Sequence, residues 1–285
     1  MKVVLFCGGL GLRIRDYSSS VPKPLVPIGS RPILWNVMKY YAHFGHKDFI
    51  LCLGYQGEAI KQFFLNYNEC LSNDFTLSQG GKNLELFSSD IHDWKITFVD
   101  TGVDSNIGQR LKAVQHYLDG EEMFLANYTD GLTDLHLPSL IDRFKQQDCI
   151  ATFLTAPPNL SYHIVHTADG GIVQEIREMG KSNLRINSGY FAFRKDIFDY
   201  IQDGEELVRE PFQRLIAKKQ LLAYEHDGFF LAMDTFKDRQ QMEELLSSGL
   251  APWELWRSAV PGRGTGPKGA SRASDDLRPL TTSHV

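Results

Sequence analysis

Cysteine is scarce in this sequence, and its residues are widely separated. No two of them form a CxxC pair, and most lie in apolar runs typical of small buried side chains. This spacing argues against a disulfide framework and favours a reducing compartment. The four residues are Cys7, Cys52, Cys70 and Cys149.

Long apolar runs and an excess of positive charge are also absent. The longest runs, such as FILCL at residues 49–53, have the length of a strand, whereas a membrane helix needs roughly 18 apolar residues. Thirty basic residues against 35 acidic ones give a net charge of −5, which provides no basic field for nucleic acid. The apolar stretch after Lys2 is too short for a secretory signal. We therefore expect a cytoplasmic protein with no membrane span and no nucleic-acid partner.

The chain does have the material for a large core. Its 285 residues are 42% hydrophobic and 23% charged, as in soluble globular proteins. Apolar runs of strand length alternate with segments of helical spacing through the first half. This alternation predicts an α/β fold, with a Rossmann-like, mostly parallel sheet flanked by helices and joined by right-handed crossovers. The predicted strands are 2–7, 48–53, 95–99 and 122–127, and the predicted helices are 33–44, 58–67 and 107–118.

The second half has a different pattern. Short strands around a DGG turn at residues 169–171 predict a small β-hairpin annex at about residues 156–190. Residues 258–285 are rich in Gly, Pro, Ser, Thr and Arg, which predicts a disordered tail after a domain over residues 1–257. The other elements predicted here are strands at 151–155, 164–165, 172–176, 188–194 and 220–224, and helices over 204–218 and 236–246.

Two motifs near the amino terminus could bind phosphate. The glycine loop GGLGLR at residues 8–13 follows the first predicted strand, where backbone N–H groups and the Arg13 fork could meet an anion. Ile14 stands where a dinucleotide-binding fingerprint has its third glycine, which argues against dinucleotide binding. Taken alone, the loop is explained equally well as an ordinary tight turn. The segment PKPLVP at residues 22–27 would hold Lys23 on a stiff backbone. Taken alone, it also fits a surface linker with a solvated lysine.

Together these two motifs resemble the signature of the sugar-1-phosphate nucleotidyltransferases, and in particular the glucose-1-phosphate cytidylyltransferase branch. The likeness covers about residues 1–257 and includes VDTG at 99–102, YTDG at 128–131, MDT at 233–235 and APW at 251–253. It implies a Mg²⁺-dependent reaction in which a sugar phosphate attacks the α-phosphorus of a nucleoside triphosphate and pyrophosphate leaves. CTP and glucose 1-phosphate are the expected pair, and the product would enter nucleotide-sugar and surface glycan synthesis, such as lipopolysaccharide O-antigen. A homo-oligomer is also implied.

The resemblance assigns roles to particular residues. Two hard carboxylate ligands together with substrate phosphates would suit Mg²⁺. Without the resemblance, Asp130 would be read as a turn residue, Asp234 as a helix cap and Arg110 as a residue of a helix surface. The implied set is Gly8, Gly9, Gly11 and Arg110 for the nucleotide, Arg13 and Lys23 for catalysis, Asp130 and Asp234 for the metal, and Glu178 and Asn187 for the sugar.

The chain departs from the family pattern at several positions. Leu12 and Thr129 replace a threonine and a glycine, and Met179 replaces a lysine that the family uses on the sugar phosphate. Lys181 is the nearest cation that could compensate. The segment 161–163 also lacks a charge that the family carries. These changes leave two alternatives open, namely an enzyme acting on another phosphorylated sugar or cyclitol and a non-catalytic relative that binds a nucleotide sugar.

Overall fold

The computed structural model of the chain describes residues 1–9, 21–159 and 162–257. The α-helices of these residues are α1 (Ile33–His43), α2 (Gly57–Leu65), α3 (Ile107–Ala113), α4 (Leu137–Lys145), α5 (Glu210–Ala217) and α6 (Phe236–Ser247). The strands are β1 (Val3–Phe6), β2 (Pro27–Ile28), β3 (Arg31–Pro32), β4 (Asp48–Leu53), β5 (Phe75–Ser78), β6 (Asn83–Leu86), β7 (Lys95–Asp100), β8 (Met123–Asn127), β9 (Gly131–Thr133), β10 (Ala151–Ala156), β11 (His163–Thr167), β12 (Val173–Glu178), β13 (Ile186–Arg194), β14 (Leu221–Glu225) and β15 (Phe230–Ala232).

A central sheet of seven strands organises the fold, in the order β14-β10-β13-β8-β1-β4-β7. Strands β8, β1, β4 and β7 pair in parallel, as do β14 and β10. Only β13 runs against its neighbours β8 and β10 within this sheet. The predicted fold class, a mostly parallel sheet flanked by helices, is confirmed.

The core lies on both faces of this sheet. Alternate residues of a strand point to opposite faces, so Val3 and Leu5 join one buried cluster while Val4 and Phe6 join the other. Helices α1, α2, α4 and α6 contribute to the first cluster, and α3 and α5 contribute to the second. Because both faces are covered, β1 is an unbroken apolar run, and this is why it was recognisable in the sequence.

The carboxyl edge of the sheet is the place where the functional loops meet. Parallel strands β1, β4, β7 and β8 all end on this edge, which is where ligands bind in open α/β sheets. Residues Gly8, Gly54, Thr101 and Asp130 therefore belong to loops of one edge. The antiparallel strand β13 begins at the same edge, where it carries Asn187.

Several elements differ from the sequence-based predictions. The predicted helix 204–218 begins only at Glu210, because Gly204 has a positive φ of 83° and Pro211 occupies the first turn. The predicted helix 107–118 ends at Ala113 and continues as a 3₁₀ turn. The sequence did not predict helix α4, the hairpin β5–β6 or the short pairs β2–β3 and β9–β15. Strands of two to four residues are too short for a periodic signal.

The hairpin β11–β12 forms a separate two-stranded sheet. Its turn at Asp169–Gly171 lies where the sequence predicted it, with Gly170 at a φ of 79°. The predicted annex boundaries at 156–190 and the domain limit at 257 stay predictions, and residues 258–285 lie outside the described residues. In the part of the chain that the structure describes, no helix is both long and apolar enough to cross a membrane.

Candidate active site

A cavity of about 620 Å³ opens at the carboxyl edge of the central sheet. Its volume is in the range of pockets that hold small molecules. The loops after β1, β7 and β8 supply much of its wall, with contributions from Lys23, Asp234 and Glu206. The cavity therefore collects residues that are far apart in the sequence.

The most distinctive feature of the cavity is a lysine held between two aspartates. Lys23 Nζ donates to Asp130 Oδ2 at 2.7 Å and to Asp234 Oδ1 at 3.0 Å. Burial by itself lowers the pKa of the Lys23 ammonium, but the charges and hydrogen bonds of both aspartates outweigh this effect and raise its pKa above the ordinary value. Lys23 is therefore charged throughout the physiological pH range.

The short pair β9–β15 brings the two aspartates together. Strand β9 follows Asp130 directly and pairs with β15, whose last residue precedes Met233 and Asp234. The backbone N–H of Met233 also donates to the carbonyl oxygen of Asp130 at 2.7 Å. Asp234 does not cap α6, because Thr235 forms the capping box with Asp238. The side chain of Asp234 is instead directed to Lys23.

The carboxylate pair fits the Mg²⁺ ion that the resemblance implies. Two carboxylate oxygens lie within hydrogen-bond reach of one nitrogen, so one cation can contact both. No cluster of three His, Cys, Asp or Glu side chains suited to a metal occurs among the described residues. Mg²⁺ is usually held by one or two carboxylates, with phosphates and waters completing its shell. The donor set therefore suits a metal that arrives with a phosphorylated substrate.

Gly8, the first residue of the glycine loop, is packed closely against Arg110. Gly8 and Gly9 line the cavity, and a Cβ atom on Gly8 would lie only 2.1 Å from Arg110 Nη1. Any side chain at position 8 would therefore displace the guanidinium. Burial raises the pKa of the neighbouring Cys7 thiol to about 12, so this cysteine stays protonated and is a packed side chain rather than a nucleophile.

Arg110 joins the ends of three neighbouring strands. Its guanidinium lies 3.0 Å from the carbonyl oxygen of Gly8 after β1, 3.1 Å from that of Leu53 in β4 and 2.7 Å from the hydroxyl of Thr101 after β7. It also donates to the carbonyl oxygen of Val103 at 3.2 Å. Only 3% of Arg110 is exposed, so the interpretation as a helix-surface arginine was wrong. Its predicted contact with the nucleotide stays a prediction.

Thr129 has a backbone conformation that threonine rarely adopts. Its φ is +67°, and a β-branched residue in this region carries strain of about 1–3 kcal/mol. Its hydroxyl donates to the carbonyl oxygen of Phe6 at 3.0 Å, and its N–H donates to Asn127 Oδ1 at 2.6 Å. The bond to Phe6 ties the end of β8 to the end of β1, the bond to Asn127 closes the turn after β8, and together they fix the backbone from which Asp130 leaves the sheet.

Paired substitutions separate the strain at Thr129 from the value of its hydroxyl. Thr129→Ala keeps the strain but loses the bond to Phe6, so we expect the free energy of unfolding to fall by about 1–2 kcal/mol. Thr129→Gly also loses the bond but relieves the strain, and should be more stable than Thr129→Ala by about 1 kcal/mol. Urea denaturation of both variants measures the difference. A glycine variant less stable than the alanine variant would contradict this explanation.

The two predicted sugar contacts do not line the cavity. Glu178 is exposed at the end of β12, where its Oε2 lies 2.9 Å from Lys181 Nζ. This ion pair lowers the pKa of the Glu178 carboxyl. Asn187 Oδ1 accepts from the N–H of Gly189 at 2.9 Å. The roles of both residues stay predictions, as does compensation by Lys181.

Some predicted residues lie outside the described residues, and some cavity residues were missed. Gly11, Leu12, Arg13 and Ser161 belong to the first group. Tyr128, Asp104 and Glu206 belong to the second. Tyr128 directly follows β8, and Asp104 lies in the loop after β7. Because ligands bind at the carboxyl ends of parallel strands, these two positions could have been identified from the predicted strands. Glu206 lies in a segment that the sequence predicted as helix, so nothing in the sequence indicated its position at the cavity.

Comparisons with protein families, individual proteins and solved structures each match most of this chain. The nucleotidyl transferase family matches residues 2–248. The glucose-1-phosphate cytidylyltransferase of Salmonella typhi is 38% identical over 258 residues, which are 90% of this chain and 100% of that protein. The enzyme of the same name from Salmonella typhimurium is 39% identical over 259 residues, with the same coverage. Among solved structures, HddC from Yersinia pseudotuberculosis complexed with GMP-PN is similar in fold, with a TM-score of 0.61 and 21% identity over 86% of this chain and 99% of that chain.

Proposed function

The chain belongs to the nucleotidyl transferase family, and from this premise we propose that it transfers the cytidylyl group of CTP to glucose 1-phosphate and releases pyrophosphate. The observation that carries the proposal is the convergence of Lys23, Asp130 and Asp234 at the cavity. These residues supply the point charge and the carboxylate pair that phosphate chemistry needs. Similarity to the Salmonella enzymes over 90% of the chain supports the choice of CTP and glucose 1-phosphate.

The reaction requires no nucleophile from the protein. A phosphate oxygen of the sugar forms a bond to the α-phosphorus of the nucleotide, while the bond between that phosphorus and the oxygen leading to the β-phosphorus breaks. Catalysis then consists of holding two polyanions in line and compensating their charge. In this chain, Gly9 adds no side chain to the cavity wall and so leaves space for phosphate groups, and Lys23 provides an ammonium group at the same wall.

Asp130 and Asp234 are the residues that would hold Mg²⁺. When bound, the ion would neutralise charge on the reacting phosphate and on the departing pyrophosphate. The carboxylates need a rigid support for this task. Asp130 has one in the strained and hydrogen-bonded turn at Thr129, and Asp234 has one in the capped start of α6.

The wider biological setting stays a prediction. We infer that the product serves nucleotide-sugar and surface glycan synthesis, including lipopolysaccharide O-antigen. A cytoplasmic location and a homo-oligomer are inferred in the same way.

Release of pyrophosphate tests the proposed function. The protein is incubated with Mg²⁺, each of the four common nucleoside triphosphates and a panel of sugar 1-phosphates. We expect the largest kcat/KM for CTP with glucose 1-phosphate, and we expect EDTA to abolish turnover and added Mg²⁺ to restore it, because the carboxylate pair needs a divalent cation. Turnover with only another phosphorylated sugar or cyclitol would contradict the assigned substrate. Nucleotide binding without turnover would contradict the assignment as an enzyme.

A further inference from the structure

Lys23 occupies the position between the two carboxylates that a divalent cation needs. Its Nζ atom lies 2.7 Å from Asp130 Oδ2 and 3.0 Å from Asp234 Oδ1. The Lys23 side chain is only 16% exposed, so it is enclosed in this position rather than extended into solvent. A Mg²⁺ ion binds oxygen at about 2.0–2.1 Å. It cannot occupy the same space, and its charge repels the ammonium group.

The described wall of the cavity is rich in negative charge. Among the described residues that line it, Asp104, Asp130, Glu206 and Asp234 are acidic, whereas Lys23 and Arg110 are basic. Arg110 directs its guanidinium to protein carbonyl and hydroxyl groups. Lys23 therefore offsets part of the negative charge of the two central carboxylates.

The backbone around Lys23 is fixed, so only its side chain can move. Pro22 and Pro24 flank the residue and restrict the backbone. The N–H of Leu25 donates to the carbonyl oxygen of Pro22 at 2.8 Å, and the N–H of Val26 donates to that of Lys23 at 3.1 Å. A lysine on such a turn combines a stationary anchor with a flexible stem of four carbons and a compact charge.

We propose that Lys23 is an exchangeable counter-ion, which pairs with Asp130 and Asp234 in the free protein and moves to the nucleotide phosphates when the divalent cation binds. This inference rests on the proposed function, because it takes a nucleoside triphosphate as the new partner of Lys23. The carboxylates keep a cation in both states, and the ammonium group keeps an anionic partner in both states. Divalent cation and nucleotide therefore strengthen each other's binding, and this coupling is reciprocal.

Binding of Mn²⁺, measured by the electron paramagnetic resonance of the free ion, tests the proposal without any turnover. We expect the wild-type protein to bind Mn²⁺ weakly alone and at least about tenfold more tightly with CTP. Lys23→Met should bind Mn²⁺ at least about tenfold more tightly than the wild type when no nucleotide is present, because the ammonium group that lies between the two carboxylates is gone. The gain from CTP should shrink in this variant.

Three further variants make the result specific. Lys23→Gln repeats the test with a polar side chain in case Lys23→Met fails to fold, and a thermal melt identifies the folded variants. Lys195→Met is the matched control, because Lys195 pairs with Asp119 at 3.0 Å on the surface away from the cavity, and it should bind Mn²⁺ as the wild type does. The double variant Lys23→Met with Asp130→Asn should lose the tight binding.

If the folded variants at position 23 bind Mn²⁺ no more tightly than the wild type, the counter-ion role is overturned. Failure of the proposed function would instead appear as an absence of pyrophosphate release.

Discussion

Asp130→Asn is expected to lower kcat by about 10³-fold or more while the protein stays folded. Asparagine has nearly the shape of aspartate, and its carbonyl oxygen can still accept from Lys23. It lacks the negative charge that a divalent cation requires, so the loss falls on turnover. Pyrophosphate release at saturating CTP and glucose 1-phosphate measures the effect. A kcat within about tenfold of the wild-type value would remove Asp130 from the metal site.

Stability measurements make the interpretation of Asp130→Asn secure. Lys23 keeps its bond to Asp234 in this variant, and the pair is partly exposed, so the free energy of unfolding should change by less than about 1 kcal/mol. Asp119→Asn is a matched control, because Asp119 pairs with Lys195 on the surface. This control should keep wild-type turnover. Equal losses in the two variants would point to a general effect on the preparation rather than to the cavity.

Arg110→Met is expected to lower the free energy of unfolding by about 2–4 kcal/mol. Methionine fills part of the volume but donates no hydrogen bonds. The carbonyl oxygens of Gly8 and Leu53 and the hydroxyl of Thr101 would lose the hydrogen bonds that the guanidinium donates to them, whereas the bonds from Thr101 to Leu53 and from the N–H of Tyr55 to Gly8 would remain. The loops after β1, β4 and β7 would also loosen, so KM for CTP should rise. Chemical denaturation and steady-state kinetics measure the two effects.

Two other arginine variants bracket this result. Arg110→Lys keeps the charge but lacks the fork that reaches several acceptors at once, so its stability should lie between those of Arg110→Met and the wild type. Arg177→Met removes an exposed arginine of β12 and should change stability by less than about 0.5 kcal/mol. If Arg110→Met is as stable as Arg177→Met, the guanidinium does not hold the three strand ends together, and its predicted contact with the nucleotide becomes the better explanation.

The parallel sheet could be predicted because its strands have a local signal. The predicted strand 48–53 matches β4 at both ends, and the predicted strand 2–7 contains β1. A strand covered on both faces is an unbroken apolar run, which stands out from the polar segments around it. The helix over 204–218 was predicted too long, because Gly204 has a positive φ of 83° and the helix begins only at Glu210, with Pro211 in its first turn.

The convergence of the aspartates could not be derived from spacing. Strands β9 and β15 are three residues each and are separated by almost a hundred residues. No local pattern states that they pair, and their pairing is what brings Asp234 to Asp130. The left-handed conformation of Thr129 is equally hidden, because threonine gives no signal for a positive φ.

The metal role of Asp130 and Asp234 came only from the family resemblance. From its amino acids alone this chain could be assigned a mostly parallel α/β sheet, a glycine loop after the first strand, and two basic residues, Arg13 and Lys23, suited to phosphate binding. These features depend on periodicity and turn chemistry within a few neighbouring residues. Only the tertiary structure decided that Lys23, Asp130 and Asp234 share one charge cluster, that Arg110 turns inward to the strand ends, and that Glu178 faces solvent. The physical reason is that such contacts depend on strand order and long-range pairing, which join segments whose local sequences carry no information about each other.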